Sequence, residues 1–190
     1  LIEWLKTHEN PIDVPVVIVP VLNIDGHSSM MTTNANGVDL LTNFPVYARG
    51  WQARVKQALM RVVGSFENFH FETETRYLVS LMRSYPPKVL VHITSGQPMV
   101  AHCGSNRQVG SLIAKKNSYD LKKLENCNQF EAPFSSYLMS RFKCSYIRFQ
   151  VPKIHEELSL AQVWEHNSGC LKHLFESEMI GSQFGITSSK

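Results

Sequence analysis

The sequence predicts an α/β domain, and three observations carry that prediction. Runs rich in β-branched residues (Val14 to Leu22, Lys88 to Ile93 and Cys144 to Pro152) alternate with stretches whose apolar residues recur at helical spacing. Of 190 residues, 43% are hydrophobic and only 18% charged, which supplies a substantial core and too little charge for a disordered chain. No internal repeat, linker or low-complexity stretch divides the chain, so residues 1–178 read as one domain and 179–190 as a flexible C-terminal tail.

Each element has its own signal. Leu1, Ile2, Trp4 and Leu5 share one helical face, and Val14 to Leu22 suits a buried strand. Trp51 to Val63 and Phe71 to Tyr85 are amphipathic helices, the second with Tyr77, Leu78, Leu81 and Met82 on its apolar side. Glu72 and Glu74 at its start complement the helix dipole, a structural rather than a catalytic role. Pro86-Pro87 stops that helix, and Lys88 to Ile93 is the next strand, followed by Thr94-Ser95-Gly96. His102 and Cys103 fall in the loop beyond it, Asn106 to Tyr119 is a short helix, and Asp120 to Glu131 is loop-rich. Phe134 to Met139 is helical, Cys144 to Pro152 is a strand, and Leu158 to Glu178 is a long helix interrupted at Asn167-Ser168-Gly169.

Charge and cysteine content exclude several function classes. The net charge of +3 is scattered, with no basic block longer than Lys115-Lys116 or Lys122-Lys123, so no nucleic-acid surface is expected. No apolar run reaches membrane length, which predicts no membrane insertion. Cys103, Cys127, Cys144 and Cys170 form no C-x-x-C pair and read as free thiols of a reducing, cytoplasmic compartment. His166, Cys170 and His173 fall at i, i+4 and i+7, but Gly169 between them favours a surface or core role over metal binding.

The most informative stretch is Val19 to Pro45, VPVLNIDGHSSMMTTNANGVDLLTNFP. It resembles the zinc carboxypeptidase (M14) family, which includes carboxypeptidase A and bacterial murein peptide amidases, where a strand enters an N-P-D-G turn followed by N-x-N-G-V-D-L-N-R-N-F-P. Weaker agreement extends over 72–76, 86–96 and 133–152. The resemblance implies a three-layer α/β fold, a mixed central sheet with helices on both faces, and zinc-dependent peptide cleavage. Asp25, Gly26, Gly37 and Asn43-Phe44-Pro45 retain the backbone instructions of the motif.

The residues that the resemblance assigns to chemistry are different here. The Asn-Arg pair that holds a substrate carboxylate falls on Leu41 and Thr42, neither of which offers a guanidinium fork. The third zinc ligand, a His, falls on Thr94, a poor ligand. The general base, a Glu, falls on Gln150, whose amide cannot take a proton at neutral pH. The H-x-x-E segment that supplies the other two ligands is not in this sequence; His8-Glu9 has the wrong spacing, leaving a place before Leu1 or none at all.

Loss of anchor, ligand and base in three separate segments predicts a catalytically inactive carboxypeptidase-like protein without zinc, serving as an adaptor or structural subunit through protein partners and self-association. Phe66, Phe69, Phe71 and the segment Trp164 to Phe175 offer aromatic anchors. Two alternatives stand beside it. One is an active zinc carboxypeptidase or peptide amidase with ligands upstream or relocated to His92 or His102; the other is a module that binds a peptide or cell-wall fragment without cleaving it. For the latter, His92, Arg148 and Asn23 are the candidate contacts, with Asn23, Thr94 and Gln150 expected to converge beyond the strand ends.

Overall fold

The computed structural model describes residues 1–7, 15–45, 71–104, 107–124, 133–155 and 157–176. In chain order the elements are α1 (Ile2–Thr7), α2 (Ile24–Ser29), a 3-10 turn (Leu40–Thr42), α3 (Thr73–Ser84), β1 (Val89–Gly96), β2 (Met99–Cys103), α4 (Arg107–Asn117), β3 (Leu121–Lys123), α5 (Pro133–Phe142), β4 (Ser145–Pro152) and α6 (Leu160–Glu176). They belong to two units, one comprising Leu1–Val17, Lys88–Glu125 and Ser145–Lys190, the other Ile18–Pro87 and Asn126–Cys144. The helix expected at 51–63, Phe66, Phe69, Cys127 and the tail at 179–190 lie outside the described residues.

The first unit is built on a mixed sheet in the order β1-β4-β2-β3. β4 comes last in sequence yet sits inside the sheet, parallel to β1 and antiparallel to β2, while β3 runs parallel to β2. Parallel neighbours need a crossover, and α4 supplies it between β2 and β3. Because strand side chains alternate, Ile147, Phe149 and Val151 share one face of the sheet with Val89, Val91, Val100 and Leu121, and they form one core with Val109, Ile113 and Ala114 of α4 and Cys170, Leu171 and Leu174 of α6. Gly110 lets α4 approach closely, since a Cβ there would lie 3.2 Å from Leu121 Cδ1 and 3.4 Å from His102 Cβ. α1 docks through Trp4, whose ring lies 6.2 Å from that of Phe175.

α6 runs unbroken through Asn167-Ser168-Gly169, contrary to the expected interruption. Asn167 is turned inward: its Nδ2 donates to Val163 O (2.7 Å), its Oδ1 accepts from Asn117 Nδ2 (2.8 Å), and its carbonyl accepts from Cys170 Sγ (3.0 Å). Here a residue that usually disrupts helices instead ties α6 to α4. His102 and Cys103 also depart from expectation, lying in strand β2 rather than a loop, and β3 was hidden in a polar stretch.

In the second unit the 19–45 motif acts as a scaffold. Asn23 caps α2, its Oδ1 accepting from Gly26 N (2.9 Å). Gly26 has no room for a side chain, because a Cβ would sit 2.7 Å from Met31 O. Gly37 has a φ of +75°, which turns the loop around Asn34, whose Oδ1 accepts from Asn36 N and Val38 N at 3.1 Å each. Asp39 caps the 3-10 turn through Leu41 N (2.9 Å), and Asn43 Oδ1 accepts from Glu72 N (2.8 Å). The Glu72 carboxylate closes the network, accepting from Asn34 Nδ2 and Asn36 Nδ2 at 2.7 Å each. Phe44 is buried with its ring 4.6 Å from Phe134 and 5.8 Å from Tyr137. α3 buries Thr75, Leu78 and Met82 and leaves Tyr77 exposed.

Two expectations are corrected. The described part of Val14 to Leu22 is not a strand, and Val16, Val17, Ile18 and Val21 are exposed. Pro15 and Pro20 remove two backbone donors from it, and β-rich composition forms no strand without a paired neighbour. Cys103 is disulfide-bonded rather than a free thiol, whereas Cys144 and Cys170 are buried outside any disulfide. Among the described residues, no helix is long and apolar enough to cross a membrane.

Asn36, Asn34 and Arg76 together hold the Glu72 carboxyl below its ordinary value of 4.5. Its folded value being depressed, the network contributes stability that is present above 4.5 and lost as pH falls through the folded value. In urea unfolding followed from neutral to acid pH, the native protein is expected to lose more stability on the acid side than Glu72→Gln. Parallel curves for the two proteins would show that the network does not depend on the charge.

Candidate functional site

The pairing of β1 with β4 assembles the polar face of the sheet. In register, His92 lies beside Arg148 and Thr94 beside Gln150; on the other side of β4, Ala101 lies beside Arg148 and Met99 beside Gln150. Paired residues project from the same face, so His92, Arg148, Ala101 and Lys122, the last in register with Ala101 on β3, form one row and Thr94, Gln150 and Met99 the next. Tyr146, two residues before Arg148, joins the same face, and its hydroxyl lies 2.9 Å from His92 Nδ1. The sequence held one signal for Tyr146, its even spacing from Arg148 and Gln150 along the strand.

The protonation states follow from burial. Burial pushes the Tyr146 phenol up to about 12. Burial, and then the neighbouring Arg148 guanidinium, holds the His92 imidazole below its ordinary value of 6.5. At neutral pH the phenol therefore has a proton to give and the imidazole a lone pair to take it; we assign the contact as Tyr146 O–H donating to Nδ1, with the ring proton on Nε2.

Arg148 is the unusual member. It is half-buried, its Nε is enclosed without a partner, and its side chain makes no hydrogen bond or ion pair among the described residues. None of the four strands carries an Asp or Glu. Gln150 lies across Gly96, where a Cβ would come within 2.7 Å of Nε2, so glycine at that position makes room for the amide.

The remaining candidates lie elsewhere. His102 pairs with Ile147 on the opposite face, against α4, with its Nδ1 enclosed and its basicity lowered by burial, Arg107 and Lys123. His92 and His102 are thus on opposite sides of the sheet and do not serve one ion. Cys170 is buried with its thiol pushed up to about 11, while His173 lines a shallow surface groove with Lys115 and Lys116, so the His166, Cys170, His173 set does not gather. Leu41 and Thr42 sit in the 3-10 turn of the second unit, where Thr42 Oγ1 donates to Asp39 O (2.7 Å). Asn23, in the same unit, spends both side-chain atoms on its cap and on Thr32 O (3.4 Å).

Zinc, which the resemblance implies, does not fit the described residues of the polar face. Among them there is one imidazole, already bonded to Tyr146, and next to it a cation that opposes a second positive charge. Among the described residues no three His, Cys, Asp or Glu side chains come together as a metal site.

No family profile matches the chain, and no curated protein matches it. Among solved structures it is similar to the crystal structure of murein-tripeptide amidase MpaA from Escherichia coli O157, with a TM-score of 0.53 and 20% identity, covering 80% of this chain. The chain spans 65% of the length of that protein. The likeness shows the fold: a mixed α/β architecture of the kind seen in that amidase.

Two outcomes test this electrostatic picture. His92 binds its proton less readily folded than unfolded, so its contribution to stability is complete above 6.5 and declines as pH falls from there towards the folded value. His92→Gln should flatten that decline in denaturant unfolding, and His102→Gln should remove what remains. Arg148→Met, which replaces an unpaired half-buried cation with an apolar chain of similar length, should raise stability by roughly 1 kcal/mol. A clear loss of stability in Arg148→Met would contradict the assignment of an unpartnered guanidinium.

Proposed function

We propose that this chain is a non-catalytic carboxypeptidase-fold module that acts by binding a protein partner, as an adaptor or structural subunit of a larger assembly. The observation that carries this reading is the Thr94–Gln150 row beside Arg148. Hydrolysis of a peptide bond by the implied chemistry needs an imidazole to help hold the metal and a carboxylate to move the proton. At those two positions the chain offers a hydroxyl and an amide, with a cation one row away.

Surface features support partner binding. Around α2, Ile24, Met30 and Met31 are exposed, Met30 at 94%, and flexible thioether chains suit adaptable apolar contacts. The aromatic anchors expected in Trp164 to Phe175 are less available: Trp164 packs on the core of the first unit and Phe175 on Trp4. The disulfide at Cys103 supports an oxidising compartment in place of the cytoplasm expected from free thiols.

Purified protein is expected to hold less than stoichiometric zinc by elemental analysis, and Gln150→Glu alone is expected to cleave no member of a C-terminal peptide or tripeptide-amide panel. One tightly held zinc per chain together with turnover overturns the non-catalytic reading. For the partner, quantitative mass spectrometry after affinity purification from the native source should find an enriched protein with the wild type that is lost with the double substitution Met30→Asp, Met31→Asp. Retention of the same partner by that variant would remove α2 from the interface.

A further inference from the structure

We propose that the β2–α4–β3 unit carries a binding site for a phosphate group, held by the Arg107 guanidinium, the Lys123 ammonium and the His102 imidazole at the N-terminal end of α4. The site lies within the first unit, on the opposite side of the sheet from His92 and Arg148, and it does not rest on the adaptor reading.

The first argument is topology. β2 and β3 are parallel neighbours joined by α4, so the N-terminus of α4 and the carboxyl ends of both strands fall at one end of the sheet. Only residues 104–106 separate β2 from α4, and Gly104 has a φ of +99°, a conformation that glycine adopts without steric cost. A helix that starts there directs its first N–H groups and the positive end of its dipole beyond the strand ends, where an anion is stabilised. At the same end His102 is in register with Lys123, and Leu124 N donates to His102 O (2.9 Å), which continues the pairing past Lys123.

The second argument is the state of the side chains. His102 is 7% exposed, yet it makes no hydrogen bond among the described residues: its Nδ1 is enclosed without a partner, while its Nε2 is not enclosed. A buried imidazole left unbonded costs stability, and a ligand at Nε2 offsets part of that cost. His102 is set against the start of α4, since a Cβ on Gly110 would lie 3.4 Å from His102 Cβ, and the cations whose fields reach it are Arg107 and Lys123. Both are exposed, and neither forms an ion pair among the described residues. β2, α4 and β3 carry no Asp or Glu to neutralise them, and the other cations of α4, Lys115 and Lys116, sit in its last turn at the far end. Two full positive charges, a helix N-terminus and a neutral N–H donor match a dianion with three acceptor oxygens; a monoanion would leave one cation unmatched.

The probes are inorganic phosphate, the amide of N-acetyl-O-phosphoserine, and acetate as the carboxylate control, at constant ionic strength and about pH 8, where phosphate groups are dianions. The intact chain is labelled with carbon-13, and the ring Cε1–H signal of His102 is assigned by its loss in His102→Gln. The expected result is a saturable shift of that signal by at least one phosphate probe, with a Kd on the order of 1 mM, and no saturable shift by acetate. Tighter binding of the phosphoserine amide assigns the phosphate of a modified residue, and tighter binding of inorganic phosphate assigns the free ion; either order supports the site. By calorimetry, Arg107→Gln and Lys123→Gln should each weaken phosphate binding about tenfold, whereas Lys116→Gln, which removes the same charge from the other end of α4, should leave it unchanged. No saturation by either phosphate probe at about tenfold that concentration, an equal response to acetate, undiminished binding to both Arg107→Gln and Lys123→Gln, or an equal loss in Lys116→Gln each overturn the assignment. The comparison of phosphate with acetate uses the native chain, so it decides the matter even where a variant folds poorly.

Discussion

The parallel register between β1 and β4 is the constraint on which the first unit depends. It sets Val91 beside Ile147 and His92 beside Arg148, so each strand contributes alternate residues to an apolar face and a polar one. A slip of one residue would exchange the two sets, driving Arg148 and Gln150 into the core with Ile113 and Leu174 and exposing Phe149. That penalty fixes the register, and the fixed register in turn holds the polar row together. The site face is thus a by-product of the same alternation that builds the core.

The second unit solves a different problem, how to hold an irregular loop. The described residues between α2 and α3, 30–45 and 71–72, belong to no strand, so side chains supply the partners. Asn34 accepts two backbone N–H groups with its oxygen and gives its amide to Glu72, while Asn43 accepts the Glu72 N–H. Of the motif residues that survive, Asn34, Asn36 and Asn43 are used in this network and Phe44 in the contact with Phe134. The residues that differ, Leu41 and Thr42, take no part in it beyond the local turn. Scaffold and chemistry therefore draw on separate residues of one motif, which is why the fold can persist while the chemical positions change.

This separation explains what was legible in the sequence. Long elements with strong periodicity, β1, β4, α3 and α4, announce themselves because burial selects their apolar positions. β2 and β3 do not, since five and three residues are too short to show a period and their pairing with β4 and with each other is a tertiary fact. The apolar run at Val14 to Leu22 misleads for the converse reason: composition suits a strand, but Pro15 and Pro20 and the lack of a paired neighbour among the described residues prevent one. Asn167 misleads in α6 because its effect depends on Asn117, fifty residues away. For the site, Thr94, Gln150, His92 and Arg148 could each be named from spacing, whereas the absence of a counter-charge for Arg148 among the described residues is visible only in three dimensions.

The electrostatics of the polar face then decide what it can hold over a range of conditions. His92 and Arg148 share a row, and the permanent charge of the guanidinium opposes protonation of the imidazole in the same way that it opposes a metal ion. Burial keeps the Tyr146 phenol intact up to about 12, far above neutral pH. Between the depressed value of His92 and that of Tyr146 both groups stay neutral, so the cations of this face are Arg148 and, in register with Ala101, Lys122. Only below the His92 value does a further positive charge appear beside Arg148, so acid adds repulsion within a row whose register the core has already fixed.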